Sequence, residues 1–222
     1  GALPLDPIFI HYGHSPAAIH YIMDNNITSL NGINADVEKH LYWRDKTRMA
    51  TMGYEHSVLT SSDKIANTIA AFGVRDTTEK TDPFFDFSGW KEGALPGESV
   101  KVQFVSNMTG TFTFDGERYL RSQFGKEQID GTTGESLACD TVIVIKTYCQ
   151  NIPVDESLRR RCDLVGNGDG YAFSGGSGCE IKWSKKSDSE FFIFTNTDGS
   201  TLTLAPGKIW ICVMDTSRSV VY

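Results

Sequence analysis

The sequence predicts an α+β protein, with an N-terminal α/β piece built as strand, helix, loop and helix, followed by a larger antiparallel β domain shaped as a sandwich or a curved sheet. Three observations predict it. Apolar residues recur at helical spacing before residue 75, and they alternate with period two after residue 99. Between these stretches the chain is crowded with turn formers. The expected boundaries are therefore 1–75 for the α/β piece, 76–99 for a linker with an aromatic cluster, and 100–222 for the β domain.

The first element, "PIFIHY", reads as a short buried strand. From Pro16 to Asn26, Ala18, Ile19, Ile22 and Met23 fall on one helical face. A second helix is expected after Thr60-Ser61-Ser62-Asp63, a Thr-x-x-Asp capping box, with Ile65, Ile69 and Phe72 at helical spacing and Gly73 as its left-handed stop. The stretch 30–56 between them is polar and irregular, and it reads as a long functional loop. Phe84, Phe85, Phe87 and Trp90 in the linker are expected to pack between the two regions.

In the β domain, Val100, Val102 and Phe104 alternate with Lys101 and Gln103. "TFTF" and "RYLRS" flank Asp115-Gly116, a hairpin signal, and "TVIVI" is apolar throughout, as a central strand is. "YAFS" and "CEIKW" meet at "GGSG", "FFIF" and "TLTL" meet near Asp198-Gly199, and Pro206-Gly207 introduces "KIWICVM". No fixed-period repeat or low-complexity tract is present.

Composition excludes several functions. The net charge of −7, with the run Arg159-Arg160-Arg161 flanked by Glu156 and Asp163, offers no basic face for nucleic acid. No apolar run approaches the ~20 residues of a membrane-spanning helix. The opening "GALPLDPIFIH" has neither the basic start nor the apolar stretch of a secretory leader. The five cysteines, at 139, 149, 162, 179 and 212, include no C-x-x-C pair, which argues against a structural zinc site or a thioredoxin-type redox pair. Cys179 shares strand parity with Ile181 and Trp183 and reads as a small buried hydrophobe. Cys149 and Cys162 bracket a polar loop; export would allow them to pair, but spacing alone does not decide it.

The segment "GHSPA" resembles the G-x-S-x-G turn of serine hydrolases. Its serine is followed by Pro16, which has no N–H to offer an oxyanion, so Ser15 reads as a helix N-cap with proline at the first helical position. The same turn, flanked by His11 and His14, remains a candidate anion site. His11, His14, His20, His40 and His56 include no pair with the spacing of a helical zinc site, and no metal or cofactor is assigned. In "YWRDKTR", Arg44 and Arg48 would share one side of a helical turn and clamp a carboxylate or phosphate, with Asp45 and His56 available for acid–base work. The alternative is that both arginines fasten the loop through local pairs. "DLVGNGDGYAF" lacks the register of a calcium loop and reads as a glycine-rich hairpin connection.

In order, "IFIHYGHSPAAIHYI", "YWRDKTR", "HSVLTSSDKI", "YLRSQFGKEQIDGTTGESLACDTVIVI", "DLVGNGDGYAF" and "PGKIWICV" resemble the YerB-like lipoproteins, a bacterial family with domains of unknown function. The resemblance implies an α/β region followed by a mostly β region. It also implies export and a lipid anchor on an N-terminal cysteine outside this chain, on the outer face of the cell membrane. The family's first region normally begins well upstream, and its turn reads Gly-Gly-Ser-Pro where this chain has His14 in place of the second glycine. Arg44, Arg48 and His56 fall on family motif positions.

Three functions are expected, in this order. The first is a binding or scaffold protein of the cell envelope contacting wall-assembly machinery. The second is a binding domain for an anionic wall fragment or small carboxylate, held by Arg44, Arg48, His56, His11 and the Ser15 helix N-terminus. The third is an envelope hydrolase using Asp45 and His56. No catalytic residue is assigned, and membrane contact is expected only through the anchor.

Overall fold

The computed structural model describes residues 3–79, 83–152 and 159–222. Residues 80–82, in the expected linker, and 153–158, in the loop between Cys149 and Cys162, lie outside the described residues. The chain divides into two compact units, Ala2–Thr81 and Asp82–Tyr222.

In the first unit, β1 (Phe9–His11) and β2 (Ser29–Asn31) pair in parallel, joined by α1 (Pro16–Asp24). A parallel pair needs such a crossover, because a tight turn can only return the chain antiparallel. Next come α2 (Ala35–Leu41), β3 (Trp43–Arg44) and α3 (Lys46–Met52), then β4 (Val58–Leu59), which pairs antiparallel with β3, and finally α4 (Ser62–Ala71). Leu30, Val37 and Leu41 form the buried core, with Ile8, Ile10, Tyr42, Ile65, Ile69 and Val74 packed against it. Of the face expected on α1, Ile22 is buried while Met23 is 65% exposed.

Residues 30–56 are not the irregular loop that their polarity suggested. They hold β2, α2, β3 and α3; α2 buries only Val37 and Leu41, and α3 buries nothing, so neither carries a strong apolar period. The cap of α4 is Ser61, whose Oγ accepts from the Lys64 N–H, rather than Thr60. Thr60 donates its hydroxyl to the Leu41 carbonyl instead. Gly73, at φ +61°, ends α4 as expected, with Gly73 N–H on Ala70 O and Val74 N–H on Ile69 O.

The second unit begins with β5 (Leu95–Pro96), β6 (Ser99–Val105), β7 (Met108–Phe114), β8 (Tyr119–Gln123), β9 (Lys126–Glu127) and β10 (Ala138–Cys139). It continues with β11 (Thr141–Thr147), β12 (Cys149–Asn151), β13 (Arg160–Cys162), β14 (Gly166–Ser174), β15 (Ser177–Lys185), β16 (Ile193–Asn196), β17 (Ile209–Asp215) and β18 (Val220–Val221). One sheet runs β10-β8-β7-β6-β18 and the other β16-β15-β14-β11-β17. Their inner faces share a core in which Val100, Val102, Phe112 and Tyr119 of the first meet Val142, Val144, Phe173, Cys212 and Met214 of the second. The unit is thus a sandwich. Among the described residues, its strand ladders are antiparallel except between β11 and β17, which run parallel because a long connection returns the chain to the far side of β11.

The second sheet is covered on its outer face too. Ile143, Ile145, Ala172, Ile181, Trp183 and Phe194 of the sheet share a second core with Phe192, Leu202 and Leu204, joined by Phe85 and Trp90. The linker aromatics therefore pack within the β unit: Phe84 lies 4.5 Å from Phe191, and the Trp90 Nε1–H donates to Ser177 Oγ. The glycine-rich stretch 166–170 is part of β14 rather than a hairpin connection. A side chain at Gly170 would put a Cβ 2.3 Å from the Val144 carbonyl oxygen, so glycine lets the strands approach.

A buried cation, not anticipated from sequence, completes the inner core. Arg121 is 5% exposed, and its guanidinium lies 5.2 Å from the Phe112 ring centre and 4.9 Å from that of Trp210. It donates to Ser122 O and Gln123 Oε1. Burial draws its pKa down.

Cys149 and Cys162, opposite each other on β12 and β13, form a disulfide. With a sequence separation of 13, its loop corresponds to a stabilisation of about 3 kcal/mol. Replacing both cysteines by serine therefore lowers the unfolding free energy of the β unit by about that amount in a denaturant titration. Alkaline pH supplies a second test. Burial pushes the Cys139 and Cys212 thiols up to about 12 from 9.0, and the Tyr119 phenol up to about 12 from 10.0. An acid with a higher pKa folded than unfolded adds stability that is complete below the unfolded value and lost as pH rises through the folded one. Unfolding free energy thus holds to about pH 9 and falls from there to about pH 12, and Tyr119→Phe removes the part of the fall that begins near 10.

Candidate functional site

Of the sequence candidates, His11 and Ser15 lie where β1 ends, at the carboxyl edge of the parallel pair, the usual ligand-binding end of an open α/β sheet. Ser15 caps α1: its Oγ accepts from the Ala18 N–H at 3.2 Å, with Pro16 at the first helical position. His11 is held at both nitrogens. Nδ1 donates to Gly13 O at 2.7 Å, and Nε2 meets the Ser29 hydroxyl at 2.7 Å. Asn31 ties the two strand–helix turns together, because its Oδ1 accepts from the N–H groups of Gly13 and Ile33 while Nδ2 contacts His14 Nδ1 at 3.0 Å.

Arg44 reaches this edge from β3. Its Nη1 donates to Tyr54 O at 2.7 Å and Ser57 Oγ at 3.3 Å, and its Nη2 donates to the Tyr12 hydroxyl at 3.1 Å. The guanidinium carbon lies 3.5 Å from the Tyr54 ring centre and 5.3 Å from that of Tyr12. Tyr12 donates to Glu38 Oε1 at 2.7 Å, and that bond to a carboxylate is the main cause that raises the Tyr12 pKa. Arg44 Nε is buried without a partner among the described residues, and the whole side chain is 17% exposed.

Arg44 and Arg48 do not share a helical turn. Asp45 between them is extended, at φ −76° and ψ 123°, and its Oδ1 caps α3 by accepting from the Arg48 N–H at 2.7 Å. Arg48 is exposed on α3, and His56 is exposed in the 3-10 turn Glu55–Ser57. The structure thus joins His11 and Ser15 in one turn and links Arg44 to its edge through Tyr12. Tyr12, Asn31, Glu38 and Tyr54 were missed. Their partners lie 10 to 32 residues away along the chain, beyond any motif window. Among the described residues, no group of three His, Cys, Asp or Glu side chains could hold a metal ion.

Chemically, this cluster is a brace. The fork of Arg44 binds α3's trailing turn to β1, and the polar groups around it face one another. Several large apolar side chains of the neighbouring segment are exposed. Trp43, Met49, Met52 and Tyr54 are 41%, 39%, 55% and 61% exposed, and α3 buries no residue at all.

Arg44→Ala, which removes the guanidinium from Tyr54 O, Ser57 Oγ and the Tyr12 hydroxyl while Ser57 Oγ still donates to Tyr54 O, costs about 1–2 kcal/mol and exposes residues 43–59 to hydrogen exchange. Arg48→Ala stays within about 0.5 kcal/mol of wild type in the same measurements.

Comparison with known proteins places this geometry in context. The sequence model described as "Protein of unknown function (DUF3048) C-terminal domain" matches residues 100–211. A Bacillus subtilis (strain 168) protein named "Putative lipoprotein YerB" is 26% identical over 214 residues, which cover 94% of this chain and 61% of the relative. The chain thus spans about three-fifths of that relative's length. The crystal structure of YerB protein from Bacillus subtilis superposes with a TM-score of 0.80 at 25% identity, covering 100% of this chain and 72% of that one. The α+β architecture is shared with that structure.

Proposed function

This chain belongs to the family of proteins of unknown function DUF3048, and we propose that it is an extracytoplasmic binding or scaffold protein of the cell envelope. It would hold a protein of the wall-assembly machinery against the α/β unit, with membrane contact made only through a lipid anchor outside this chain. The observation that carries this reading is α3, a helix with no buried residue that presents Met49 and Met52 beside exposed Trp43 and Tyr54. Helices owe most of their stability to packing an apolar face, and contiguous exposed apolar surface marks interaction sites. Methionine adapts to the shape of what it meets. The Cys149–Cys162 disulfide fits an oxidising compartment, and the lipoprotein name of the Bacillus relative agrees with it.

This reading is favoured over the two alternatives. An anionic wall fragment bound by Arg44, Arg48, His56, His11 and the Ser15 turn would have to displace the three oxygen partners that Arg44 already holds. A hydrolase using Asp45 and His56 would need the carboxylate that caps α3.

The test is a photo-crosslinking residue placed at position 52 in the anchored protein, in intact cells. The expected result is one defined adduct with a wall-assembly protein, lost in Met49→Glu while the melting temperature is retained. No adduct, or an adduct indifferent to that substitution, sinks the proposal.

A further inference from the structure

The sandwich opens into a cleft where β11 and β14 part. Their ladder ends at Ile145 and Gly170. Beyond that pair the chain of β11 runs through Lys146 and Thr147 toward the disulfide hairpin, whereas β14 stays on β15 as far as Gly166. The space between them is a cavity of about 420 Å³. That lies within the range of about 300–1,000 Å³ usual for small-molecule sites. A second lobe of about 180 Å³ shares Lys146 and Asp169 and continues to Glu180 and Thr197.

Trp183 lines the base of the cleft, and its Nε1–H donates to the Lys146 carbonyl at 3.0 Å. Gly168 makes that possible, because a Cβ there would sit 2.8 Å from Nε1. The indole thus satisfies a carbonyl that the parted ladder leaves without a strand partner. Lys146 and Tyr148 are two residues apart on one wall, and Asn167 and Asp169 are two apart on the other. By strand alternation Lys146 shares the face of Val142 and Val144, and Asn167 and Asp169 share that of Tyr171 and Phe173, so both walls serve one face of the sheet.

The charges in the cleft are unequal. Asp169 is paired with Lys182, and Asp163 with Arg161. Lys146 in the main lobe and Glu180 in the second have no ion pair among the described residues, so the uncompensated charge of the main lobe is one ammonium. Tyr148 is 57% exposed, with its hydroxyl donating to Gln150 Oε1 at 3.2 Å. An open aromatic ring beside an amide, a carboxylate and the Thr216 hydroxyl suits a ligand with an apolar C–H face and many hydroxyls. The lone ammonium suits an acidic group on it.

We propose that this cleft binds a carbohydrate carrying a carboxylate, with the sugar ring on Tyr148, its hydroxyls on Asn167 and Asp169, and its carboxylate on Lys146. The second lobe has room for an adjoining ring. This site lies wholly in the β unit and is independent of the protein-binding surface of the α/β unit.

The test is NMR titration of the labelled protein with N-acetylmuramic acid and glucuronic acid, with N-acetylglucosamine as the neutral control. The expected result is that both acids shift the amides of Gly166–Asp169 and the Trp183 indole N–H. Tyr148→Ala and Lys146→Gln, at sites whose side chains are not buried, each weaken binding about tenfold or more, as does removing the ligand's charge. Lys146→Arg restores what Lys146→Gln loses. The proposal is overturned if neither acid shifts 166–169 at millimolar concentration, if the neutral sugar binds as well as the acids, or if either variant keeps wild-type affinity.

Discussion

The β unit depends on one strand being buried on both faces. In β11, Val142, Ile143, Val144 and Ile145 are all inaccessible to solvent, with valines turned toward the inner core and isoleucines toward the outer one. Each such side chain contributes roughly 1.5–3 kcal/mol of burial, and the contributions cannot be separated by face. A one-residue slip would exchange the two sets and mismatch both cores at once. The neighbours of β11 obey the same alternation: Phe173 and Ala172 on β14, and Cys212 and Ile211 on β17, divide between the cores. The outer layer, from Phe85 through Leu204, exists because the outer face of this sheet cannot be left to water.

That constraint also explains where the β unit becomes irregular. β11 leaves its double burial at Lys146, and there its pairing with β14 stops. The chain no longer needs both neighbours, so it turns toward β12 and the disulfide, and the gap it leaves is closed beneath by Trp183. Regularity ends where the hydrophobic demand ends. Polar side chains that would be costly inside the sandwich collect in that gap.

The α/β unit is organised differently. Its core is small, and side chains with catalytic chemistry are spent on the backbone. Ser15, Asn34, Asp45 and Ser61 each accept helix N-terminal N–H groups, a contribution of about 1 kcal/mol apiece. Arg44 spends its fork on two oxygens of the segment after α3 and on Tyr12. A unit held by caps and one polar brace can leave aromatic and methionine side chains in water, which a unit relying on them for its core could not.

The local features were readable from the sequence alone. Pro16 after Ser15 identified a cap, Gly73 a helix stop, Asp115-Gly116 a hairpin, and "TVIVI" a central strand, because each rests on backbone chemistry or side-chain period within a few residues. The change of period near residue 99 marked the passage to the β domain, although the aromatics before it pack on that domain's outer face. The α2 and α3 helices escaped detection because their stability comes from caps and neighbours rather than from an apolar stripe. The glycines of 166–170 suggested a turn, whereas glycine there is demanded by a carbonyl on β11 and an indole on β15. The Tyr12–Glu38–Arg44–Tyr54 brace and the cleft around Trp183 were decided only by tertiary structure. Both join residues far apart in sequence whose types, taken singly, are equally at home on any solvated surface.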